Sequence, residues 1–450
     1  MVALRSRRLE GLLGARLDSV SQTHLALLQQ NAVSESYDLE FKGELYGGGG
    51  SVKRDLAGDV AALANTAGGL LLLGVTEDDQ ARAAGLPGVC LSDNEVLRIR
   101  NVVADLVHPL PTFDVRQIED PDRAGHGILM IAVPRSASAP HGVRVNEGLR
   151  YPRRNGASIV YLTEAEIAAA YQDRFARRQT RQSDLLRHER DLVNRLNVDR
   201  QTFVIVTLVP DLDGDFPLDT RALRAFEQET LGKDLLVIPR RARVRHVTVG
   251  SRRLIAHGGS RPAKAEWIAC ELHQSGAGSF AVVAADCRHM TEPRPGGEGG
   301  ALARIEDEDL VVGVWSGLRY LARHARDRAA AGGTATVRAS ILPVGPGLPA
   351  ELNHPRGHFS ETLGSFEVAE PPEAMSLFDI DDLAEDGPAL IAATSVVAAG
   401  LIQHFGYPEA LQMTTEGVIR TKYWNRRAYW PRVEQWAKEA GVELSDDVVQ

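Results

Sequence analysis

The first strand of the chain is marked by an alternation of apolar and polar side chains. From Tyr37 to Lys42 the odd-numbered positions are aromatic or aliphatic, and the even-numbered positions are charged. This period of two predicts a half-buried strand that presents Glu40 on its polar face. A glycine-rich turn follows, and apolar residues at helical spacing then predict a helix that ends at Gly68 and Gly69.

The next element is the uninterrupted apolar run "LLLLGV" at residues 70–75. Consecutive apolar positions are typical of a strand that is covered on both faces. The run leads directly into the turn "TEDD", which contains Glu77 and Asp78. A cluster of acids is therefore predicted at the carboxyl end of a buried strand.

The remaining pattern predicts a protein of mixed α/β or α+β class with two cores. We predict a helical N-terminal arm at 1–32, a first domain at 33–162, a basic connector helix at 163–200 and a second α/β domain with a helical C-terminus at 201–450. The apolar run at 389–402 is shorter than the ~20 residues of a membrane span. It predicts a buried helix.

Composition narrows the class of protein and its partners. The formal net charge is −9, so any contact with nucleic acid must come from a local basic surface. The three cysteines are far apart and form no Cys-x-x-Cys pair, which argues against a disulfide framework and against structural zinc. The N-terminus has no apolar core of signal-peptide length. We therefore expect a cytoplasmic protein that does not associate with a membrane.

Three motifs in a fixed order carry a resemblance to a known family. They are "ESYDLEFK" at 35–42, "DVAALANTAGGLLLLGV" at 59–75 and "LRYPRRNGAS" at 149–158, followed by a helix from residue 164. In this order they resemble the Schlafen-like AlbA domain of a prokaryotic Schlafen family member. The resemblance covers roughly residues 30–175, and the second half of the chain resembles no family that we recognise.

In nuclease members of that family, the resemblance implies a metal-dependent site that cleaves RNA. Two glutamates of an E-x-x-x-x-E-F-K motif and an acid after the GV strand form it, which gives Glu35, Glu40 and Asp78 here. Glu77 is a rival for the third position, because a one-residue shift in the turn exchanges the two acids. A spacing of five sends the two glutamates to opposite faces of a continuous strand, so the chain must bend near Ser36.

Three converging carboxylates suit Mg²⁺ or Mn²⁺, which take oxygen ligands and can activate water for attack on a phosphodiester. Lys42 shares the strand face of Glu40. Its ammonium group either stabilises phosphate charge or pairs with that glutamate. The alternative for the whole cluster is a role in folding or in positioning nucleic acid, without catalysis.

A row of arginines predicts where nucleic acid binds. The row consists of Arg174, Arg177, Arg178 and Arg181 at helical spacing on the connector helix, preceded by Arg153 and Arg154. Guanidinium groups in such a row can follow a phosphate backbone. Acids nearby on the same helix equally favour a solvated, salt-bridged helix.

Two functional hypotheses follow from these motifs. The first is a metal-dependent endoribonuclease that acts on structured RNA, tRNA by family analogy, in phage defence or stress. The second is a non-catalytic nucleic-acid-binding or ATP-binding transcriptional regulator whose C-terminal domain senses a ligand or partner. Larger relatives face two lobes across the RNA groove and this chain has one recognisable lobe, so we also predict a homodimer.

Overall fold

The computed structural model describes residues 4, 6–240, 242–260, 264–286, 302–353 and 367–447. The chain divides into two compact units, Met1–Thr180 and Arg181–Gln450. Both units combine helices with sheets, which confirms the predicted mixed α/β class.

The first unit is a sheet with helices on both faces. Its helices are α1 (Arg7–Leu13), α2 (Gln22–Gln30), α3 (Gly50–Ala64), α4 (Asp93–Leu106) and the start of α5 (Glu164–Val193). Its longer strands are β1 (Leu39–Lys42), β2 (Gly68–Leu73), β7 (Asp114–Asp120), β8 (Arg123–Pro134), β9 (Gly142–Val145), β11 (Pro152–Asn155) and β12 (Ser158–Tyr161). The short strands are β3 (Thr76–Glu77), β4 (Ala83–Gly85), β5 (Val89–Cys90), β6 (Val107–His108) and β10 (Gly148–Arg150).

The central sheet of this unit has the strand order β1–β2–β8–β5, and β7 also pairs with β8. β1 runs parallel to β2, whereas β8 is antiparallel to each of its partners. Every residue of β2 is buried, as predicted for a strand covered on both faces. One face packs on α3 and α4 through residues such as Leu56 and Ile99, and the other packs on α1 and α2 through Leu9 and Leu25.

The predicted N-terminal arm therefore takes a different form in the structure. Residues 7–30 form two short helices joined by a turn, and their leucines share a core with Leu39, Phe41 and Leu70 of the sheet. Leucines spaced for one amphipathic helix serve two short ones here, because Gly14 adopts a left-handed conformation and ends α1.

The predicted first strand starts later than its alternation indicated. Tyr37 and Asp38 form a turn, in which the Ser36 N–H donates to the Leu39 carbonyl at 3.0 Å, and the strand begins at Leu39. The Leu70 N–H donates to the Asp38 carbonyl at 2.9 Å. Gly69 permits this approach, since a Cβ atom there would overlap the Asp38 backbone.

The second unit is built on a larger sheet. Its helices are α6 (Thr220–Thr230), α7 (Asp307–Arg323), α8 (Ile380–Ala384), α9 (Pro388–Ile402) and α10 (Trp430–Ala440). Its strands are β13 (Gln201–Pro210), β14 (His246–Gly250), β15 (Arg253–His257), β16 (Ile268–His273), β17 (Gly278–Asp286), β18 (Ala303–Glu306), β19 (Thr334–Leu342), β20 (Ala350–Asn353), β21 (Glu373–Asp379), β22 (Ile419–Arg420) and β23 (Leu444–Ser445).

Seven of the described strands form one antiparallel sheet in the order β14–β15–β16–β17–β13–β19–β21. Helix α7 packs across its centre, against β13 and β17. Gly313 and Gly317 allow that contact, since a Cβ at either position would crowd Val282 or Val206 of the sheet.

The apolar run near residue 390 forms α9, a buried helix as predicted, with Pro388 in its first turn. Within the described residues, Pro388–Phe405 is the one segment long and apolar enough to cross a membrane by length and composition alone. More than half of that segment is buried inside the protein. A buried core helix of a soluble protein can be equally long and apolar, so the length and composition of this segment are weak support for a membrane span.

Candidate functional site

The two glutamates of the first motif are brought together by the turn that precedes β1. Because Ser36 pairs with Leu39 across that turn, the chain bends where the spacing of the glutamates required it. Glu35 then lies beside β1, and its Oε1 accepts a hydrogen bond of 2.7 Å from the Phe41 N–H. Glu40 lies within the strand itself.

Glu35 is a half-buried carboxyl group that is poised to exchange a proton near neutral pH. Burial raises its pKa to about 7, and the negative charges of Glu40 and Glu77 act in the same direction. The Phe41 N–H and the Lys42 ammonium oppose the rise. A carboxylate with a pKa close to the working pH has the property required of a general base.

Glu40 is held by two cations. Its Oε2 lies 2.5 Å from Nη1 of Arg154, and its Oε1 pairs with Nζ of Lys42. Glu40 is 5% exposed and the Arg154 side chain 1%. The prediction that the strand presents Glu40 to solvent was wrong, because a carboxylate matched by two cations can be buried.

Lys42 completes the cluster and is its accessible cation. Burial opposes its positive charge, yet the hydrogen bond and charge of Glu40, with the charges of Asp59 and Glu35, raise the pKa of Lys42 above its usual value. Its side chain is 38% exposed, so the ammonium can still meet a ligand. Pairing with Glu40, one of the two roles predicted for this lysine, is therefore present in the structure.

Asp59 and Tyr46 belong to the same cluster, and neither was predicted from the sequence. The Tyr46 hydroxyl donates to the Asp59 carboxylate inside the protein. Burial raises the pKa of Asp59 to about 6, and Glu40 adds to the rise. Asp59 could have been noticed in the sequence, because it is an acid next to Val60 on the apolar face of α3.

The "ANTAGG" motif positions Arg154. The Asn65 side chain donates to the carbonyls of His141 at 2.9 Å and Pro152 at 2.8 Å, which fixes the start of β11. The Thr66 hydroxyl accepts from the Arg154 N–H at 2.9 Å. These two side chains at the end of α3 thus set the strand from which Arg154 reaches Glu40.

The structure separates the two candidates for the third acid. Asp78 pairs with Arg82 at 2.7 Å and also accepts hydrogen bonds from the backbone N–H groups of Gln80 and Arg82. These bonds lower the pKa of Asp78 to about 2, and the bond from the Arg82 side chain contributes most. Glu77 is exposed, and its charge contributes to the raised pKa of Glu35. The charge of Glu77 thus acts on Glu35, while the Asp78 carboxylate is taken up by the hydrogen bonds of its own turn.

The predicted Mg²⁺ or Mn²⁺ site does not fit this arrangement. Among the described residues, no group of three or more His, Cys, Asp or Glu side chains could hold a metal ion. The oxygens of Glu40 face Lys42 and Arg154, and those of Asp78 face Arg82. The carboxylate oxygens that would hold a cation are therefore already paired with Lys42, Arg154 and Arg82.

The arginines predicted to bind nucleic acid have different surroundings. Arg153 is about half-exposed and pairs with Glu166 at 3.0 Å. Arg181 is mostly buried and pairs with Asp211 at 2.8 Å, so its guanidinium is already occupied. Arg154 serves the acidic cluster, as described above.

The other three arginines lie along α5. Arg174 is partly buried, and its charge assists burial in lowering the pKa of His141. Arg177 and Arg178 lie on the helix, but their side chains are outside the described part of the structure. Arg153 and Arg174 are thus the described members of the predicted row that remain partly accessible.

Comparison with known proteins identifies the fold around this cluster. Residues 35–162 match the family described as Schlafen, AlbA_2, which confirms the resemblance for this part of the chain. No curated protein matches the chain. Domains of this family are associated with nucleic acids, so a nucleic-acid-related function is supported.

Two solved structures are similar to part of the chain. The DIP2311 protein from Corynebacterium diphtheriae is 21% identical over 36% of this chain and 27% of its own, with a TM-score of 0.22. The N-terminal domain of a RecG-related protein from Nitrosomonas europaea is 24% identical over 30% of this chain and 89% of its own, also with a TM-score of 0.22. The chain thus spans about a quarter of the first structure and most of the second.

Proposed function

We propose that the Schlafen AlbA_2 domain of this chain binds structured RNA, such as tRNA, and cleaves it at the cluster around Glu35. The observation that carries the proposal is a half-buried carboxyl group with a pKa of about 7 beside a partly exposed lysine. A base that is half ionised at neutral pH and a cation at the same point are the two groups that cleavage of a phosphodiester needs.

The chemistry assigned to the cluster uses residues of this chain alone. The Glu35 carboxylate takes the proton of a ribose 2′-hydroxyl, whose oxygen attacks the adjacent phosphorus. The bond to the 5′-oxygen breaks, and that oxygen takes a proton from solvent. Lys42 faces the charge that develops on the phosphate, while Arg154 holds Glu40 and keeps β1 in place.

Incubation of the purified full chain with total tRNA tests the proposal. We expect cleavage to leave 2′,3′-cyclic phosphate ends, to persist in EDTA and to fall at least 10²-fold in Glu35→Gln, as when a general base is removed. Glu44→Gln is the matched control, because Glu44 is an exposed glutamate two residues after Lys42. Unchanged cleavage in Glu35→Gln would contradict the role of Glu35.

The same experiment decides whether a metal ion takes part. A requirement for Mn²⁺ or Mg²⁺, with 5′-phosphate products, would mean that the carboxylates rearrange around a cation when RNA binds. Glu77→Gln and Asp78→Asn would then identify the third ligand by which of them abolishes cleavage. A parallel incubation with single-stranded DNA measures the preference for RNA, because DNA lacks the attacking hydroxyl.

One observation favours a second candidate function, a non-catalytic nucleic-acid-binding regulator. Glu40 is neutralised by two cations and Asp78 by one, as in an acidic cluster whose role is structural. This candidate predicts RNA or DNA binding without cleavage under any metal condition. Binding that survives Glu35→Gln, with intact substrate, would support it.

A further inference from the structure

The second unit contains a cavity of about 470 Å³ that is not part of any site described above. Its lining combines buried apolar side chains, those of Leu236, Val244 and Val282, with the partly buried ring of Trp267. Cavities of this size, apolar with a few polar groups, are typical of sites for small molecules.

Two exposed arginines, Arg243 and Arg245, line the same cavity. Among the described residues neither guanidinium has a carboxylate oxygen within 4.0 Å, whereas Arg240, the third arginine of the lining, pairs with Asp309 at 2.6 Å. The Arg245 guanidinium lies 5.0 Å from the centre of the Trp267 ring, where a cation–π contact holds it. An acidic chain thus keeps two uncompensated cations beside an apolar cavity, which favours an anionic ligand.

The backbone that carries these arginines is fixed before any ligand binds. The Asp234 carboxylate accepts from the N–H groups of Arg240 at 2.7 Å and Ala242 at 3.0 Å. The Arg245 N–H donates to the His257 carbonyl at 3.0 Å. A site that is ordered in advance loses less entropy on binding, so its contacts contribute more to affinity.

We propose that this cavity binds a nucleoside phosphate, with the base against the apolar lining and the phosphate on Arg243 and Arg245. A guanidinium binds phosphate oxygens through two parallel hydrogen bonds, and bases stack on tryptophan rings and on guanidinium planes. The ligand is either a free mononucleotide or one nucleotide of a single strand, since both present the same chemistry. The inference does not depend on cleavage at Glu35.

Calorimetric titration of the full chain tests the site, with AMP, GMP, inorganic phosphate and a hexaadenylate RNA as probes. We expect nucleotides to bind more tightly than phosphate, because only they fill the apolar part. Arg243→Ala with Arg245→Ala should weaken binding at least about tenfold, because the variant loses both guanidinium groups that donate charged hydrogen bonds to the phosphate. The matched control is Arg221→Ala with Arg224→Ala, which removes the same charge from two exposed arginines of α6 outside the lining.

The probes also separate the two sources of the ligand. Tighter binding of the RNA, with a salt slope that falls by about 1.4 in the double variant, would identify a single strand whose phosphates contact both arginines. Equal or tighter binding of the mononucleotides would identify a free nucleotide. Absence of binding by every probe, or equal loss in the variant and its control, would overturn the proposal.

Two further variants keep the test decisive if the alanine pair does not fold. Arg243→Lys with Arg245→Lys retains the charge but not the paired hydrogen bonds, so binding should weaken only in part. Trp267→Leu should weaken AMP and leave the weak binding of phosphate unchanged. Full affinity for AMP in both variants would contradict the site.

Discussion

Replacement of Glu35 by glutamine should stabilise the protein at alkaline pH and not at acid pH. The folded protein raises the pKa of Glu35 from 4.5 to about 7. Below pH 4.5 the Glu35 carboxyl group is protonated in both the folded and the unfolded protein, so it does not lower the free energy of unfolding. As pH rises from about 4.5 to 7 the unfolded chain loses the proton first, so folding becomes progressively less favourable, and above pH 7 the full penalty applies. A glutamine side chain does not ionise, so the variant Glu35→Gln has no such penalty.

The size of the effect follows from the shift. At 1.36 kcal/mol per pKa unit, the ionised Glu35 side chain can lower the free energy of unfolding by at most about 3.4 kcal/mol. Solvent around this half-exposed side chain reduces the expected loss to about 1–2 kcal/mol. The amide oxygen of glutamine can still accept from the Phe41 N–H, so that hydrogen bond is kept. In a unit of this size, 1 kcal/mol corresponds to about 2–4 °C in Tm.

Scanning calorimetry of the full chain and of Glu35→Gln at pH 5 and pH 8 measures this prediction. We expect the gain in Tm to be about 2–6 °C larger at pH 8 than at pH 5, because roughly a quarter of the penalty already applies at pH 5. Glu44→Gln, which removes an exposed carboxylate from the same segment, should give the same small change at both pH values. An equal gain at pH 5 and pH 8 for Glu35→Gln would refute the raised pKa and, with it, the assignment of Glu35 as a base.

Three further predictions concern the surroundings of the cluster. Arg154→Ala should lower the free energy of unfolding by about 3–5 kcal/mol in denaturant titrations, because it leaves Glu40 buried with one fewer cation. The double variant Arg154→Ala with Glu40→Gln should recover part of that loss. Thr66→Val should reduce cleavage of tRNA with little change in RNA affinity, because Thr66 sets the strand of Arg154, and equal losses in both would argue against a positioning role. Light scattering at micromolar concentration should give twice the monomer mass, and a single monomer mass would contradict the predicted homodimer.

The elements that could be predicted from the sequence are those in which an uninterrupted run of apolar residues indicates burial directly. Strand β2 is apolar at every position after its glycines and proved to be buried on both faces. Helix α9 was recognised from the same property. The start of β1 could not be placed, since the alternation continues back to Tyr37, whereas the backbone turns there to pair Ser36 with Leu39. Local hydrogen bonds decided that boundary, and the side-chain pattern does not encode them.

The candidate site was predictable as a set of residues and not as an electrostatic arrangement. The sequence showed that Glu35, Glu40 and Lys42 share one motif, but it could not show that Arg154, far along the chain, would neutralise Glu40. It also left Glu77 and Asp78 equivalent. Arg82 distinguishes them, because it closes the turn on Asp78 and leaves Glu77 free to act on Glu35.

The spacing of five in the motif gives its two glutamates opposite electrostatic roles. Residues five apart on a straight strand would face opposite sides of the sheet, and the turn at Ser36 brings Glu35 back toward the side of Glu40. Glu40 remains in the strand, where Lys42 and Arg154 balance its charge and burial is tolerated. Among the described residues, the Glu35 carboxylate has no cation as partner and accepts a hydrogen bond from the Phe41 N–H instead. Burial and the negative charge of Glu40 therefore raise its pKa. The pair of cations that makes Glu40 a poor metal ligand therefore leaves Glu35 as the glutamate of the motif whose pKa lies near neutral pH.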